Sequence, residues 1–172
     1  VPAWAAYASD VPLPLPAKAI AAGVYNTCVI LSNGAVRCWG DGQYGANGNN
    51  APNNIGDVPD SMENAQDVYL GVDGGGHPIK ATAITVAAGQ PSHACAILET
   101  GKVRCWGYGA SGQLGNDATA NIGDTPGSME AAHDVPLPAN AAVISAGSEN
   151  TCAVLVTGKV RCWGYGASGQ LG

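Results

Sequence analysis

The segment from Cys95 to Gly115, Cys-Ala-Ile-Leu-Glu-Thr-Gly-Lys-Val-Arg-Cys-Trp-Gly-Tyr-Gly-Ala-Ser-Gly-Gln-Leu-Gly, returns almost unchanged from Cys152 to Gly172. A looser copy runs from Cys28 through Cys38-Trp39-Gly40 to Gly48. Successive copies are offset by 67 residues (28 to 95) and 57 residues (95 to 152). The extra length falls mostly in Gly71 to Pro78, a Gly-rich stretch of the kind that loops tolerate. A second shared phrase lies between the cysteine units: Asn54-Ile-Gly-Asp57 to Met62-Glu63 with Asp67-Val68, matched by Asn121-Ile-Gly-Asp124 to Met129-Glu130 with Asp134-Val135. Pro2 to Pro14 lines up with Pro126 to Pro138, so the chain begins and ends inside a repeat. Units of this kind bury their apolar faces only by stacking on one another, which makes the chain a repeat array.

The natural divisions are 1–48 (partial spacer and first repeat), 49–115 and 116–172 (a spacer and a repeat each), all parts of one unit. Gly 25, Pro 11, 46% hydrophobic residues and no Phe in 172 residues describe short strands joined by tight turns, so the class is all-β. Each cysteine unit reads as a hairpin with a three-residue loop whose third member is Gly, the position that takes a left-handed backbone: Ser32-Asn33-Gly34, Glu99-Thr100-Gly101 and Val156-Thr157-Gly158. If Leu98 closes its loop against Lys102, counting outward sets Cys95 opposite Cys105. The same count sets Cys28 against Cys38 and Cys152 against Cys162. Cross-strand partners lie within reach of a disulfide, so three intra-hairpin bridges are expected. The alternative is three pairs of buried free thiols; zinc would call for a Cys-x-x-Cys spacing that this chain lacks. Disulfides at this density imply an oxidising compartment, hence a secreted or cell-surface protein.

Seven Lys and Arg against thirteen Asp and Glu leave a net charge of −6, which makes nucleic acid and anionic lipid poor partners. No apolar run approaches the roughly 20 residues of a membrane-spanning helix, so no membrane insertion is expected. The chain opens at Val1 with neither Met nor an apolar leader, as a mature product or an excised piece would.

The phrase Ala87-Ala-Gly with His93, Cys95-Ala-Ile-Leu, Thr100-Gly-Lys-Val-Arg-Cys-Trp106-Gly107 and Gly112-Gln-Leu-Gly115 resembles the repeat of the regulator of chromosome condensation family. All three units carry the resemblance. It implies a β-propeller of four-stranded antiparallel blades, usually seven to a ring. Three repeats would then form a partial propeller or a segment of a larger ring or assembly. Trp39, Trp106 and Trp163, one per repeat, are expected to pack between blades. The family's founding member promotes nucleotide exchange on a small GTPase through an acidic residue shortly before the repeat's His. Here that place holds Val24, Gln90 or Pro91, and Ser148, and the His survives only at His93, which argues against exchange.

No nucleophile has a base at a recognisable spacing, since His77 lies in the Gly-rich insertion, His133 in a spacer and His93 at the repeat's own position; an enzyme is not expected, nor is a cofactor. The Asn- and Asp-rich spacers, with Asp57, Asp117 and Asp124, are weak calcium candidates, but Asn and Asp are also ordinary turn formers. The leading functional expectation is a non-catalytic extracellular protein-binding module. It would use Val24, Tyr25 and Asn26, then Gln90, Pro91, Ser92 and His93, then Ser148, Glu149 and Asn150, with Tyr44, Tyr108 and Tyr165 as aromatic contacts or blade packing. The alternative is a subunit of an extracellular filament or scaffold whose copies join head to tail through open blade edges, with Pro2 to Pro14 completing a neighbour's last blade.

Overall fold

The computed structural model describes residues 10–172; the part of the Pro2 to Pro14 segment before Asp10 lies outside the described residues. Nine strands form three antiparallel sheets of sequential order: β1 (Ala17–Ala22), β2 (Asn26–Leu31) and β3 (Val36–Gly40); β4 (Ala81–Val86), β5 (His93–Leu98) and β6 (Val103–Gly107); β7 (Ala141–Ala146), β8 (Asn150–Leu155) and β9 (Val160–Gly164). The chain is all-β and its sheets are successive blades of a partial propeller.

The hairpins close as the loop count requires. Leu98 N donates to Lys102 O and Gly101 N to Leu98 O, both at 2.8 Å, with the third loop residue left-handed at Gly34, Gly101 and Gly158 (φ +91°, +80° and +80°). That register pairs Cys28 with Cys38, Cys95 with Cys105 and Cys152 with Cys162, and each pair is disulfide-bonded with Cα atoms 4.0–4.1 Å apart.

The four-stranded blade implied by the family resemblance has three strands here. The fourth is reduced to one bridge, Gly40 with Ile55 and Gly107 with Ile122. The next residues, Gly56 and Gly123, take φ of +92° and +96° and turn the chain out of the ladder after a single pair.

From there the spacer wraps back over the outside of its blade. The Ser61 and Ser128 hydroxyls accept from Gly56 N and Gly123 N at 2.9 and 2.8 Å, closing the turn. Val68 N then donates to Val36 O and Val135 N to Val103 O, both at 2.8 Å. One residue earlier, Asp67 meets Arg37 at 2.7 Å and Asp134 meets Arg104 at 2.6 Å. The apolar core runs through these contacts, with Val36, Val68, Leu70, Leu98, Val103, Trp106 and Val135 buried in one cluster.

The third blade has no described segment over β9. Val36 and Val103 are fully buried, whereas Val160, at the same place, is 61% exposed, and the Cys152–Cys162 bridge is only half-buried. Thiol attack needs access to sulfur. In dilute protein, limited reduction without denaturant should therefore open Cys152–Cys162 first, with mass mapping of alkylated peptides as the readout. Each bridge closes a loop with a sequence separation of 10. By chain entropy alone, losing one should cost about 3 kcal/mol.

Candidate binding surface

Each blade presents two kinds of turn at opposite ends of its sheet. At one end are the β2–β3, β5–β6 and β8–β9 hairpin loops. At the other, the loop joining a blade's first two strands meets the exit of its third, because Asp41 N donates to Tyr25 O, Tyr108 N to Ser92 O and Tyr165 N to Glu149 O at 2.9–3.0 Å. The crossing is close: a Cβ on Gly40 would lie 2.0 Å from the Tyr25 carbonyl oxygen, and only glycine fits at that left-handed position (φ +104°).

This second end carries the exposed candidates. Val24 and Tyr25 are 57% and 59% exposed, Gln90 and Ser148 are exposed, and Pro91, Glu149 and Asn150 are half-buried. Gln90 Nε2 donates to Asp41 Oδ2 at 2.8 Å, tying the second blade's loop to the first blade. Tyr165 stands open at 44%, while Tyr108 is edge-stacked on Tyr44 of the preceding blade with ring centroids 5.1 Å apart. Ser111 follows Trp106 as Tyr44 follows Trp39, so Tyr165 has a serine where Tyr108 has a ring.

Three expected contact residues are not at the surface. Asn26, Ser92 and His93 are buried, because they lie at or next to the first residue of β2 and β5, where the strand has entered the stack. The Asn26 amide donates to the Asp41 carbonyl and faces Asn47 Oδ1 at 3.3 Å. His93 sits between the second and third blades with Nε2 2.8 Å from the Thr151 hydroxyl, which in turn donates to the Gln113 carbonyl at 3.0 Å. With the hydroxyl hydrogen directed to Gln113, Nε2 is the donor to Thr151, and Nδ1 has no partner.

The tryptophans sit between blades. Trp106 is fully buried and its Nε1 donates to Ala46 O at 3.2 Å, while Trp163 Nε1 donates to Gln113 O at 2.9 Å, in each case to the preceding blade. Trp39 packs on Ile55, Met62 and Ala65. Sequence reasoning noticed Asp67-Val68 and Asp134-Val135 without giving them a role. The signal was present, since Arg37 and Arg104 each precede their aspartate by 30 residues.

The calcium candidates do not converge. Asp57 and Asp117 are exposed and Asp124 accepts from the Asn121 amide at 3.1 Å, and the described residues hold no cluster of three His, Cys, Asp or Glu side chains placed to share a cation. The spacer asparagines cap turns instead, with Asn54 and Asn121 accepting from Gly42 N and Gly109 N at 3.1 and 3.2 Å. The Gly-rich insertion is a small hairpin, bridged at Val72 and Pro78. Asp73 Oδ1 accepts from Gly75 N and His77 N inside it, and those backbone donors hold the Asp73 carboxyl below its usual pKa.

The regulator of chromosome condensation (RCC1) repeat matches the chain three times, over residues 17–46, 83–113 and 142–170. The chain belongs to that repeat family. The ultraviolet-B receptor UVR8 of Arabidopsis thaliana is 34% identical over 92 residues, 51% of this chain and 18% of that protein. Yeast RCC1 (Prp20), solved bound to Kap60, superposes with a TM-score of 0.61 at 18% identity, covering 87% of this chain and 32% of that one. The ectodomain of the Physcomitrella patens receptor kinase CR4 does so with a TM-score of 0.53 at 21% identity, covering 91% and 31%. The likeness to these two structures is one of fold, and this RCC1-repeat chain spans about a third of their length.

Burial pushes the His93 pKa down to about 4, so the ring is neutral in the folded protein. An unfolded chain takes up that proton as pH falls through 6.5, so the His93 contribution to stability is complete above 6.5 and lost between 6.5 and about 4. Asn26 and Asn150 hold the same place in the other blades, opposite Gly40 and Gly164 as His93 is opposite Gly107. Relative to wild type, His93→Asn should flatten the acid loss by on the order of 3 kcal/mol, read from urea unfolding at pH 7.5 and pH 4.

Proposed function

We propose that this RCC1-repeat segment is a non-catalytic protein-binding module of a secreted or cell-surface protein, and that it docks its partner on the end bearing Tyr25. The carrying observation is the exposure of Val24, Tyr25 and Tyr165 at one end of a stack whose other aromatic side chains are largely packed between or against blades. Exposed aromatic and branched side chains on rigid loops are what a protein interface uses as anchors. Gln90, Ser148 and Glu149 supply a polar margin, and the hydrogen bond from Gln90 to Asp41 pre-orders two loops before any partner arrives.

The extracellular part of the reading rests on the three disulfides and on the CR4 ectodomain as a neighbour in fold. The protein-binding part is supported by yeast RCC1, which was solved bound to Kap60. Support for a non-catalytic role comes from the histidines. His93 is sealed between blades, His77 is tied to Asp73 at 3.3 Å in an exposed loop, and His133 lies exposed in a spacer. No acid stands in the loops at Val24, Gln90 or Ser148, so stimulated nucleotide release from a small GTPase is not expected.

The test is chemical cross-linking of the protein to components of its native extracellular fraction, followed by affinity measurement on the partner so identified. Tyr25→Ser should weaken that complex about tenfold or more without moving the thermal midpoint. An unchanged affinity would remove Tyr25 from the interface, and recovery of the native protein with reduced cysteines would remove the extracellular assignment.

A further inference from the structure

The two open faces of the stack carry matching halves of one contact. Within the chain, a blade's outer strand is covered by the Asp-Val pair of the following spacer: Arg37 by Asp67 and Val36 by Val68, then Arg104 by Asp134 and Val103 by Val135. On the third blade the corresponding Arg161 and Val160 are exposed, and Arg161 makes no ion pair among the described residues. Beside them lies a groove of about 630 Å³ lined by Gly115, Leu137, Arg161 and Trp163 among others.

The missing pair exists at the other end of the molecule. Asp10-Val11-Pro12-Leu13-Pro14 repeats Asp134-Val135-Pro136-Leu137-Pro138 residue for residue. Asp10 and Val11 are exposed, and Asp10 makes no ion pair among the described residues. The segment is carried on the first blade as its counterpart is on the third: Pro16 O accepts from Ser32 N at 2.8 Å, as Asn140 O accepts from Val156 N at 2.9 Å. Asp10 precedes Ala17 in β1 by the same seven residues that separate Asp134 from Ala141 in β7. One rigid placement of a second copy can therefore bring its Asp10 to Arg161 and its first blade onto the third.

A second set of groups repeats the pattern independently. The Gln113 carbonyl accepts from Trp163 Nε1 and Thr151 Oγ1 of the next blade. Its counterpart Gln170 sits in the same local turn, with Ser168 N donating to Gln170 Oε1 at 2.8 Å as Ser111 N does to Gln113 Oε1 at 2.9 Å. The donors that would meet the Gln170 carbonyl are the equivalents of Trp163 and Thr151 on the first blade, Trp39 and Thr27. Ile20 on that same face is 68% exposed, against 9% for its equivalent Ile144 inside the stack.

We propose that the third blade binds the first blade of a second copy of this chain, with Asp10 and Val11 of that copy covering Arg161 and Val160 as Asp134 and Val135 cover Arg104 and Val103. The contact is heterologous, so repeated copies close a ring or extend a fibre according to the rotation between them. Charge complementarity is part of the occupant's identity: Arg161 takes a carboxylate, and a like charge there repels.

Sedimentation velocity of the 172-residue chain from micromolar to millimolar concentration tests this. Concentration-dependent association is expected. Arg161→Asp and Asp10→Arg should each weaken it about tenfold or more, and mixing the two variants should restore it, since every new contact then pairs opposite charges. Both side chains are exposed in the single chain, so each variant should keep the wild-type thermal midpoint. Reduction of Cys152–Cys162 should slow as wild type assembles, and a synthetic peptide of residues 10–17 should compete. A chain that remains monomeric across the range overturns the proposal, as does association that both variants leave intact or that their mixture fails to recover.

Discussion

Everything in this structure depends on the spacer lying back across the outer strand of the blade that precedes it. A disulfide hairpin by itself leaves Val36 or Val103 and an arginine guanidinium facing outward, and a small isolated sheet is marginal in water. When Val68 or Val135 arrives, it adds a backbone hydrogen bond at 2.8 Å and removes a valine pair from water. Full burial of a valine stabilises by about 1.5 to 3 kcal/mol, which is large beside the contribution of any single surface ion pair. The Arg–Asp pair acts mainly on specificity. Once Arg104 is largely buried, leaving it without a carboxylate would be costly, so only a segment carrying aspartate one place before valine can seat there. Arg104 Nη1 also donates to Leu70 O at 2.7 Å, which locks the incoming spacer of one blade to the outgoing spacer of another.

The second tie between blades is a carbonyl. Ala46 O in the first blade and Gln113 O in the second are the acceptors into which the next blade's tryptophan Nε1 donates. Those carbonyls are held in place by the glycine-rich turn after each third strand. Gly115, left-handed at φ +65°, lies so close to Trp163 that a Cβ there would be 2.6 Å from the indole nitrogen. The repeat's Trp-Gly and Gln-Leu-Gly phrases are therefore the two sides of one interface, donor on one blade and acceptor on the next. Coupling of this kind is between nearest neighbours, which is why the chain reads as a stack of similar units and why its two ends differ from its middle.

How far the sequence discloses this depends on whether an interaction is local. The hairpin register followed from counting out of a loop with a left-handed glycine, and the cysteine pairs with it, because every step lay within a dozen residues. The tryptophan role followed from one bulky apolar residue per repeat. The Arg–Asp clamp was harder to see: the partners are 30 residues apart, and Asp-Val in a spacer looks like any polar turn residue beside an apolar one. The fourth strand was expected from the family resemblance and was undone by one left-handed glycine after Ile55 and another after Ile122. Asn26, Ser92 and His93 read as loop residues because polar side chains at a strand's first position are usually exposed, and only the stacking of the next blade buries them.

The separation between what stacks and what varies also explains how the second blade accommodates an insertion. Gly71 to Pro78 forms its own small hairpin, closed by Ile79 N donating to Gly71 O at 3.0 Å and by Asp73 N donating to His77 O at 2.8 Å. The chain leaves the clamp at Leu70 and re-enters β4 at Ala81, whose N donates to Gly34 O just as Ala141 N donates to Gly101 O in the blade without an insertion. The added residues therefore project from the hairpin end without altering the stack, and open a groove of about 560 Å³ beside Asn33, Val68 and Ile79. A repeat whose clamp and carbonyl ties are satisfied can change its connecting loops at little cost to the fold, and on such a scaffold sequence differences between repeats collect where a partner could read them.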